Sequence, residues 1–209
     1  MGLFSTMTDA PNLTLHRLQR AGLGAFFRPS DVIPLGITEP ALRTLQRHGT
    51  VERVARGLYR LTAAPPSEHH TVAAVCARSP RAILCLLTAL RIHGIGTQLP
   101  SEVWLAIPHG AHAPRSEFAA VRTVKFTGVF LTAGVEPLRL DGVPTRITNP
   151  DRTIIDCLRL KRWIDREVAI EAAREGLRSR SVTASSLLRM ARACGVDGRL
   201  RLDIELLTS

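Results

Sequence analysis

Two arginines four positions apart, Arg43 and Arg47, carry the clearest chemical signal in this chain. If their segment is helical, the spacing places both guanidiniums on one face, with Thr44 and Gln46 beside them. Forked guanidiniums and side-chain amides are the groups that recognise base edges and hold phosphates. The segment therefore predicts a DNA-binding helix. The alternative is a charged helix face that is only solvated.

The flanking residues predict where this helix begins and ends. Thr38 is a good N-cap and a further candidate DNA contact, Pro40 suits the first turn, and Gly49 is a stop signal. Apolar residues at spacings of three and four predict an inner face that packs on a core: Ala41, Leu42 and Leu45. The outer face is then left to the polar residues.

A basic hairpin is predicted directly after this helix. Two short β-prone runs, Val51–Ala55 and Leu58–Leu61, flank the pair Arg56-Gly57, which is a turn signal. Three arginines make the hairpin basic and are predicted to contact DNA: Arg53, Arg56 and Arg60. A recognition helix followed by such a hairpin is typical of a winged helix-turn-helix.

The residues before the helix agree with that prediction. A short helix from about Ser30 is ended by Gly36, and a very short turn then leads to Thr38. Short helix, tight glycine turn and second helix form a helix-turn-helix. Leu13–Ala21, stopped by Gly22, supplies a third helix.

Composition favours a polyanionic partner and argues against a membrane. The chain has 28 Lys and Arg against 18 Asp and Glu, a formal charge of +10. Its longest apolar run, Ala82–Leu90, is too short to span a bilayer, and Met1–Pro11 has no secretory signal pattern. A cytosolic location is expected. The four cysteines lack a CxxC spacing and are expected to be buried, reduced thiols.

A linker at residues 63–67 divides the chain into two predicted domains, residues 1–64 and 65–209. The second domain mixes predicted helices and strands, so the fold class is α+β, with the winged helix-turn-helix followed by a mixed α/β domain. Its predicted helices are Glu68–Ala77, Arg81–His93, a helix from Asn149-Pro150 to about Leu160, Ile164–Leu177, Ala184–Ala193 and Leu200–Leu207. Its predicted strands are Val103–Ile107, Val121–Phe126 and Val143–Ile147.

The second domain has no persuasive catalytic, cofactor or metal pattern. His109 and His112 lie in a Pro- and Gly-rich loop without neighbouring ligands at zinc-like spacing. Asp151 and Asp156 lie on one helix, but two aspartates alone do not make a nuclease. Nucleotide-binding and nucleophile-elbow motifs are missing from the sequence. We therefore predict a protein that is not an enzyme and needs no cofactor or metal.

Several stretches resemble the AbiEi-type antitoxin family, the regulatory half of type IV toxin–antitoxin pairs. They are ILCLLTALRIHGIGTQLPSEVWLAIPHGAHAPR at 83–115, KFTG at 125–128, TAGVE at 132–136 and DGVPTRITNPDRTIIDCLR at 141–159. The run ERVARGLYRL at 52–61 is similar to the wing of this family's N-terminal domain. The resemblance extends from about residue 13 to 194.

The resemblance implies a bacterial DNA-binding autorepressor that counters a nucleotidyltransferase-like toxin. It also implies that the toxin's effect is opposed without a tight complex, and it leaves the oligomeric state open. Two alternatives remain at this stage: a solitary transcriptional regulator without a toxin, and a nucleic-acid-processing enzyme that uses the winged helix for targeting. A winged helix that binds protein instead of DNA is a further possibility.

Overall fold

The fold is taken from a computed structural model that describes residues 16–18, 20, 25–64 and 67–208. Of the predicted helix Leu13–Ala21, residues 16–18 and 20 are described and are helical, and the rest lies outside the described residues. Contacts between Cα atoms divide the chain into two compact units. Unit 1 comprises residues 1–80 and 139–145, and unit 2 comprises 81–138 and 146–209. This division falls after Pro80 and is discontinuous, so independent folding of residues 1–64 stays a prediction.

Unit 1 holds a small antiparallel sheet and short helices. Its elements are β1 (Phe26–Phe27), α1 (Pro29–Val32), a 3-10 turn (Ile33–Leu35), α2 (Glu39–Arg47), β2 (Val51–Ala55), β3 (Leu58–Leu61) and α3 (His70–Arg78). The strand order is β1-β3-β2. The hairpin β2–β3 has the predicted bounds, and the predicted helix Glu68–Ala77 is observed as α3.

Two glycines set the geometry around α2. Gly36 adopts a left-handed φ of 73° and ends the 3-10 turn, which allows α2 to follow after a very short connection. Gly57 has a φ of 71° in the turn of the hairpin, a conformation that other residues adopt at a cost. The predicted glycine turns are therefore confirmed at both positions.

The core of unit 1 fixes which face of α2 is outside. Leu42 and Leu45 are each only 1% exposed and pack in one cluster with Phe27, Val51 and Tyr59. The predicted inner face of α2 is thus confirmed. Because that face is buried, the residues between these leucines must point to solvent.

Unit 2 contains most of the other elements. They are β4 (Ile83–Leu84), α4 (Leu86–His93), β5 (Val103–Pro108), β6 (Val121–Phe126), a 3-10 turn (Gly128–Leu131), β7 (Val135–Leu140), β8 (Val143–Thr148), α5 (Pro150–Arg159), α6 (Arg166–Arg178), α7 (Ala184–Ala193) and α8 (Asp197–Thr208). Residues 139–140 of β7 and residues 143–145 of β8 belong to unit 1.

The second sheet has five strands in the order β6-β5-β4-β8-β7. Strands β5 and β6 run parallel, as do β4 and β8, whereas β4 and β5 are antiparallel. Asn149 caps helix α5, because its side chain accepts a hydrogen bond from the backbone N–H of Arg152. Trp104 on β5 is 4% exposed and belongs to the core.

Several predicted boundaries were wrong. The helix predicted over Arg81–His93 begins only at Leu86, because Ile83-Leu84 form strand β4 between β5 and β8. A short apolar run fits a buried strand and a helix equally well, so periodicity could not separate the two. Strands β1 and β7 were not predicted, since β1 has two residues and β7 contains Pro137.

No helix in the described part of the chain is both long and apolar enough to cross a membrane. Among the described residues there is also no group of three or more His, Cys, Asp or Glu side chains that could hold a metal ion.

Candidate nucleic-acid interface

The outer face of α2 presents polar side chains to solvent, as its spacing predicted. Arg43, Gln46 and Arg47 are exposed, and Thr44 is half-buried beside them. Together with Pro40 these residues line a shallow open groove along the helix. A continuous row of two guanidiniums and one amide is therefore available to a ligand along this face.

The arginines of this row are held only by weak local bonds. Arg43 lies 3.4 Å from a carboxylate oxygen of Glu39, and both side chains are about two-thirds exposed. Such an exposed pair one helical turn apart stabilises a helix by only about 0.3–0.5 kcal/mol. Arg47 donates a hydrogen bond to the Thr44 hydroxyl at 3.1 Å. These guanidiniums can exchange their present partners for phosphate or base acceptors at little cost.

The hydroxyl groups at the beginning of α2 differ in their availability. Thr44 donates a 3.1 Å hydrogen bond to the Pro40 carbonyl, so its hydroxyl proton is already used. Thr38 occupies the N-cap position, but its side chain makes no capping hydrogen bond. Thr38 is exposed, which leaves its hydroxyl open to a ligand at the positive end of the helix.

The hairpin adds two exposed arginines. Arg53 lies on β2 and makes only a long hydrogen bond, 3.4 Å, from Nε to the Ala55 carbonyl. Arg56 lies in the turn, and its backbone carbonyl accepts a hydrogen bond from Arg78. The side chains of Arg53 and Arg56 are thus both exposed, one on β2 and one in the turn that follows it.

Arg60 differs from the other predicted contacts. It pairs across the strands with Glu52 and Phe26, whereas its neighbour Tyr59 pairs with Arg53 and Phe27. Because side chains alternate along a strand, Arg60 faces the side of the sheet opposite to Arg53 and to the core that contains α2. Its side chain is 19% exposed and forms a 2.8 Å ion pair with Glu52. The structure therefore does not bring Arg60 together with the other seven residues.

Residues 18–62 match the family model described as transcriptional regulator, AbiEi antitoxin. The resemblance to AbiEi antitoxins is therefore confirmed for this stretch, and it supports a role as a transcriptional regulator or antitoxin. The matched stretch, called the AbiEi segment below, contains α1, α2 and the β2–β3 hairpin. It does not contain residues 83–157, where the longest motifs of the resemblance lie.

A solved structure shows the same overall fold. The crystal structure of the RV2827C protein from Mycobacterium tuberculosis superposes with a TM-score of 0.56 at 12% sequence identity. The alignment covers 91% of this chain and 76% of that chain. At this identity the likeness concerns the fold alone. No curated protein matches the chain.

One basic residue near the AbiEi segment was not singled out from the sequence. Arg17 is exposed, and its Nη1 lies 3.7 Å from the position that a Cβ at Gly36 would take. Its guanidinium is therefore close to the turn that precedes α2. The sequence indicates only that Arg17 lies on a helix. It does not show that the side chain reaches the turn at Gly36.

The residues considered for catalysis in unit 2 have structural partners. Asp151 accepts a hydrogen bond from the Ser186 hydroxyl. Asp156 is fully buried and pairs with Arg152 at 3.0 Å and with Arg159 at 2.6 Å. These aspartates form no joint site with each other.

The four cysteines are free and buried, as predicted. Burial raises the pKa of the Cys76 thiol to about 12 and raises the pKa of Cys85, Cys157 and Cys194 as well. A thiol with a raised pKa stays protonated near neutral pH and is a poor nucleophile. These cysteines are therefore small core residues.

Proposed function

We propose that this chain is a DNA-binding transcriptional repressor of its own operon that acts as the antitoxin of a type IV toxin–antitoxin pair. The observation that carries the proposal is the exposed row of Arg43, Gln46 and Arg47 on α2, inside the AbiEi segment. The net charge of +10 supports a polyanionic partner. The proposed partner is double-stranded DNA.

The residues of the AbiEi segment take different roles in this proposal. Helix α2 enters the major groove, where Arg43 and Arg47 contact guanines or phosphates and Gln46 contacts a base edge. Thr38 and Thr44 supply hydroxyl contacts at the beginning of the helix. The hairpin acts as the wing.

Within the wing, Arg53 and Arg56 hold phosphates or enter the minor groove. Arg60 is left out of the proposed interface, because its guanidinium bonds Glu52 and the Ala64 carbonyl on the opposite face of the sheet. The proposed contacts thus number seven of the eight residues predicted from the sequence.

The antitoxin role rests on the AbiEi segment and on the motifs at residues 83–159. In the proposal a nucleotidyltransferase-like toxin is opposed through its effect on the cell, without a tight complex. Unit 2 then either opposes that effect or brings copies of the chain together on the operator. The proposal assigns the chain no catalytic step and no cofactor.

Binding of the full chain to the DNA upstream of its own gene tests the first half of the proposal. Fluorescence anisotropy would compare this duplex with a shuffled duplex of equal length and composition. We expect the upstream duplex to bind at least about 10³-fold more tightly. The affinity should also fall steeply between about 50 and 200 mM salt, because each neutralised phosphate releases counterions. Equal affinity for both duplexes would contradict a repressor.

Rescue of cell growth tests the second half of the proposal, the antitoxin role. A nucleotidyltransferase-like gene adjacent to this one would be expressed with and without the chain. The proposal expects growth arrest that is relieved by the chain, while affinity purification of either protein recovers no stable complex. Arrest that persists despite expression of the chain would remove the antitoxin role and leave the DNA-binding role standing.

A further inference from the structure

A cavity in unit 2 combines cationic and apolar walls. Its volume is about 510 Å³, which lies within the range of small-molecule sites, about 300–1,000 Å³. The cavity lies where α5 ends and α7 connects to α8, and all of its lining residues belong to unit 2. Its charged lining residues are Arg159, Lys161 and Arg199. Its other lining residues are Phe130, Cys194, Gly195, Val196 and Leu200.

The charge beneath the cavity is unbalanced. Arg152 and Arg159 both form their ion pairs with Asp156, at 3.0 and 2.6 Å. Two guanidiniums against one carboxylate leave one positive charge in excess, and Arg152 and Asp156 are fully buried. Arg159 is 18% exposed, and a charge that is largely withdrawn from water is costly without a counter-charge. An anion in the cavity would supply the missing negative charge next to Arg159.

The Arg159 guanidinium is held in a fixed orientation. Its Nε bonds Asp156, its Cζ lies 3.9 Å from the centre of the Phe130 ring, and its Nη2 is buried without a hydrogen-bond partner. A planar guanidinium fixed by one ion pair and one aromatic ring is preorganised for an oxyanion. The Arg159 side chain lines the cavity and is 18% exposed, so its positive charge suits a phosphate better than a neutral ligand.

The other charges at the cavity also favour an anion. Lys161 is 64% exposed and lies 4.0 Å from Asp203, a carboxylate that also lies 3.7 Å from Arg166. Arg199 is exposed and forms no ion pair with the described residues. Burial raises the pKa of the Cys194 thiol, so this group adds no negative charge. Asp156 and Asp203 therefore each already have two cationic neighbours.

The apolar walls limit the kind of anion. Phe130, Val196 and Leu200 contribute carbon surface, and Gly195 adopts a left-handed φ of 65° with no atom within 4 Å of the position of an added Cβ. A bare inorganic ion would leave this surface uncovered. An organic body attached to the anion would cover it and gain from its burial.

We propose that this cavity binds a small organic phosphate monoester, with its phosphate against Arg159, Lys161 and Arg199 and its organic body against Phe130, Val196 and Leu200. The proposal concerns unit 2 and does not depend on DNA binding by α2. It adds a ligand site to a domain in which the sequence predicted none.

Phenyl phosphate is a minimal probe for this site, because it carries one phosphate and one ring. Titration of the full ¹⁵N-labelled chain should shift the amide signals of Gly195 and Val196, and isothermal calorimetry would give the dissociation constant. We expect phenyl phosphate to bind more tightly than inorganic phosphate, and phenol to bind undetectably. A phenol affinity equal to that of phenyl phosphate, or shifts that avoid residues 194–200, would overturn the proposal.

Variants on the exposed residues separate binding from folding. Arg199→Ala should weaken phenyl phosphate binding about fivefold, because an exposed charge contact contributes up to about 1 kcal/mol. Arg174→Ala, an exposed arginine on α6 that does not line the cavity, is the matched control and should bind as the native chain does. Equal loss in both variants would show only a general charge effect and would overturn the site.

Duplex DNA provides the last arm of the test. Phenyl phosphate should keep its affinity and its shifts at Gly195 and Val196 when a saturating upstream duplex is present. If the duplex displaces phenyl phosphate from these residues, the surface serves backbone phosphates and the small-molecule assignment is wrong.

Discussion

Arginines serve opposite purposes in two regions of this protein. On α2 of unit 1, Arg43 and Arg47 are exposed and make only weak bonds within their own helix. In unit 2, Arg152 is fully buried, bonds the carbonyls of Ala133 and Phe130 at 2.5 and 3.0 Å, and pairs with Asp156. The same side chain is thus available to a ligand in one region and part of the scaffold in the other.

The difference shows why the spacing of charged residues on a helix does not by itself identify a binding site. Arg43 and Arg47 are separated by four positions on a helix, and so are Arg152 and Asp156. What distinguishes them is the surrounding surface: one pair lies on the polar outer face of a short helix, whereas the other lies on the inner face of α5 against Phe126 and Phe130. We therefore expect substitutions in the two regions to affect different measurements.

The largest effect is expected at Asp156. Asp156→Asn leaves the buried guanidinium of Arg152 and the partly buried one of Arg159 without a carboxylate and should lower the free energy of unfolding by about 3–5 kcal/mol. Urea denaturation followed by circular dichroism measures the loss. The control Glu39→Gln removes the exposed partner of Arg43 and should change stability by less than about 0.5 kcal/mol. Similar losses in both variants would contradict the distinction between the two regions.

The packing around Arg152 is tested at Gly134. A Cβ added there would lie 2.6 Å from the Arg152 Cβ, and the residue has a φ of 63°. Gly134→Ala should therefore cost about 2–4 kcal/mol, from backbone strain of about 1 kcal/mol and overpacking of about 1–3 kcal/mol.

Gly195→Ala is the matched control for this substitution. Its φ of 65° is similar, but nothing lies within 4 Å of the added Cβ. Only the strain should remain, about 1 kcal/mol. If both variants lose equal stability by urea denaturation, the close packing at Arg152 does not matter energetically.

Arg60 lies in the AbiEi segment, but like Arg152 it bonds a carboxylate and a backbone carbonyl of the protein. Arg60→Ala removes the ion pair with Glu52 and the bond to the Ala64 carbonyl, so it should lower stability by about 1–2 kcal/mol and leave DNA affinity nearly unchanged. Arg53→Ala should do the reverse, with weaker binding to any DNA and a salt slope that is smaller by about one. Anisotropy titrations at several salt concentrations compare the two, and a flatter slope for Arg60→Ala would place it in the interface.

The sequence predicted the structure of the AbiEi segment more accurately than that of unit 2, for a physical reason. In the AbiEi segment, local signals such as Pro40, Gly36 and the Arg56-Gly57 turn agree with one another, and the hairpin bounds are as predicted. In unit 2, β4 has two residues and is defined by its pairing with β5 and β8, which no local pattern encodes. Whether so short a segment forms a strand depends on the strands that pair with it, and the sequence does not reveal these partners.

Side-chain partners were the other part that the sequence could not supply. Strand alternation could have separated Arg60 from Arg53 once the pairing was known, but the register with β1 is tertiary information. The burial of Asp156 was missed as well, because the rings of Phe126 and Phe130 cover its neighbour Arg159 only in the folded chain.

The smallest predicted effect concerns a buried thiol. Because burial raises the pKa of Cys76 to about 12, the thiol ionises in the unfolded chain at lower pH than in the folded chain. The stability that it contributes is complete below the unfolded pKa and is lost as pH rises toward the folded pKa. Between about pH 8 and 9 this loss should be about 0.4 kcal/mol. Cys76→Ala should show a correspondingly smaller decline in urea denaturation, and an unchanged decline would contradict the assignment.

The central claim is that the outer face of α2 binds DNA, and a matched pair of double variants tests it most directly. Arg43→Ala with Arg47→Ala removes two exposed arginines four positions apart on α2. Arg174→Ala with Arg178→Ala removes two exposed arginines at the same spacing on α6. Both variants lose the same charge, and both should keep the urea midpoint of the native chain to within a small shift, since all four side chains are exposed. Anisotropy with the upstream duplex should show a loss of about 1–3 kcal/mol for each α2 arginine and only a slight loss for the α6 pair. Equal affinities of the two folded double variants for the upstream duplex would contradict the account.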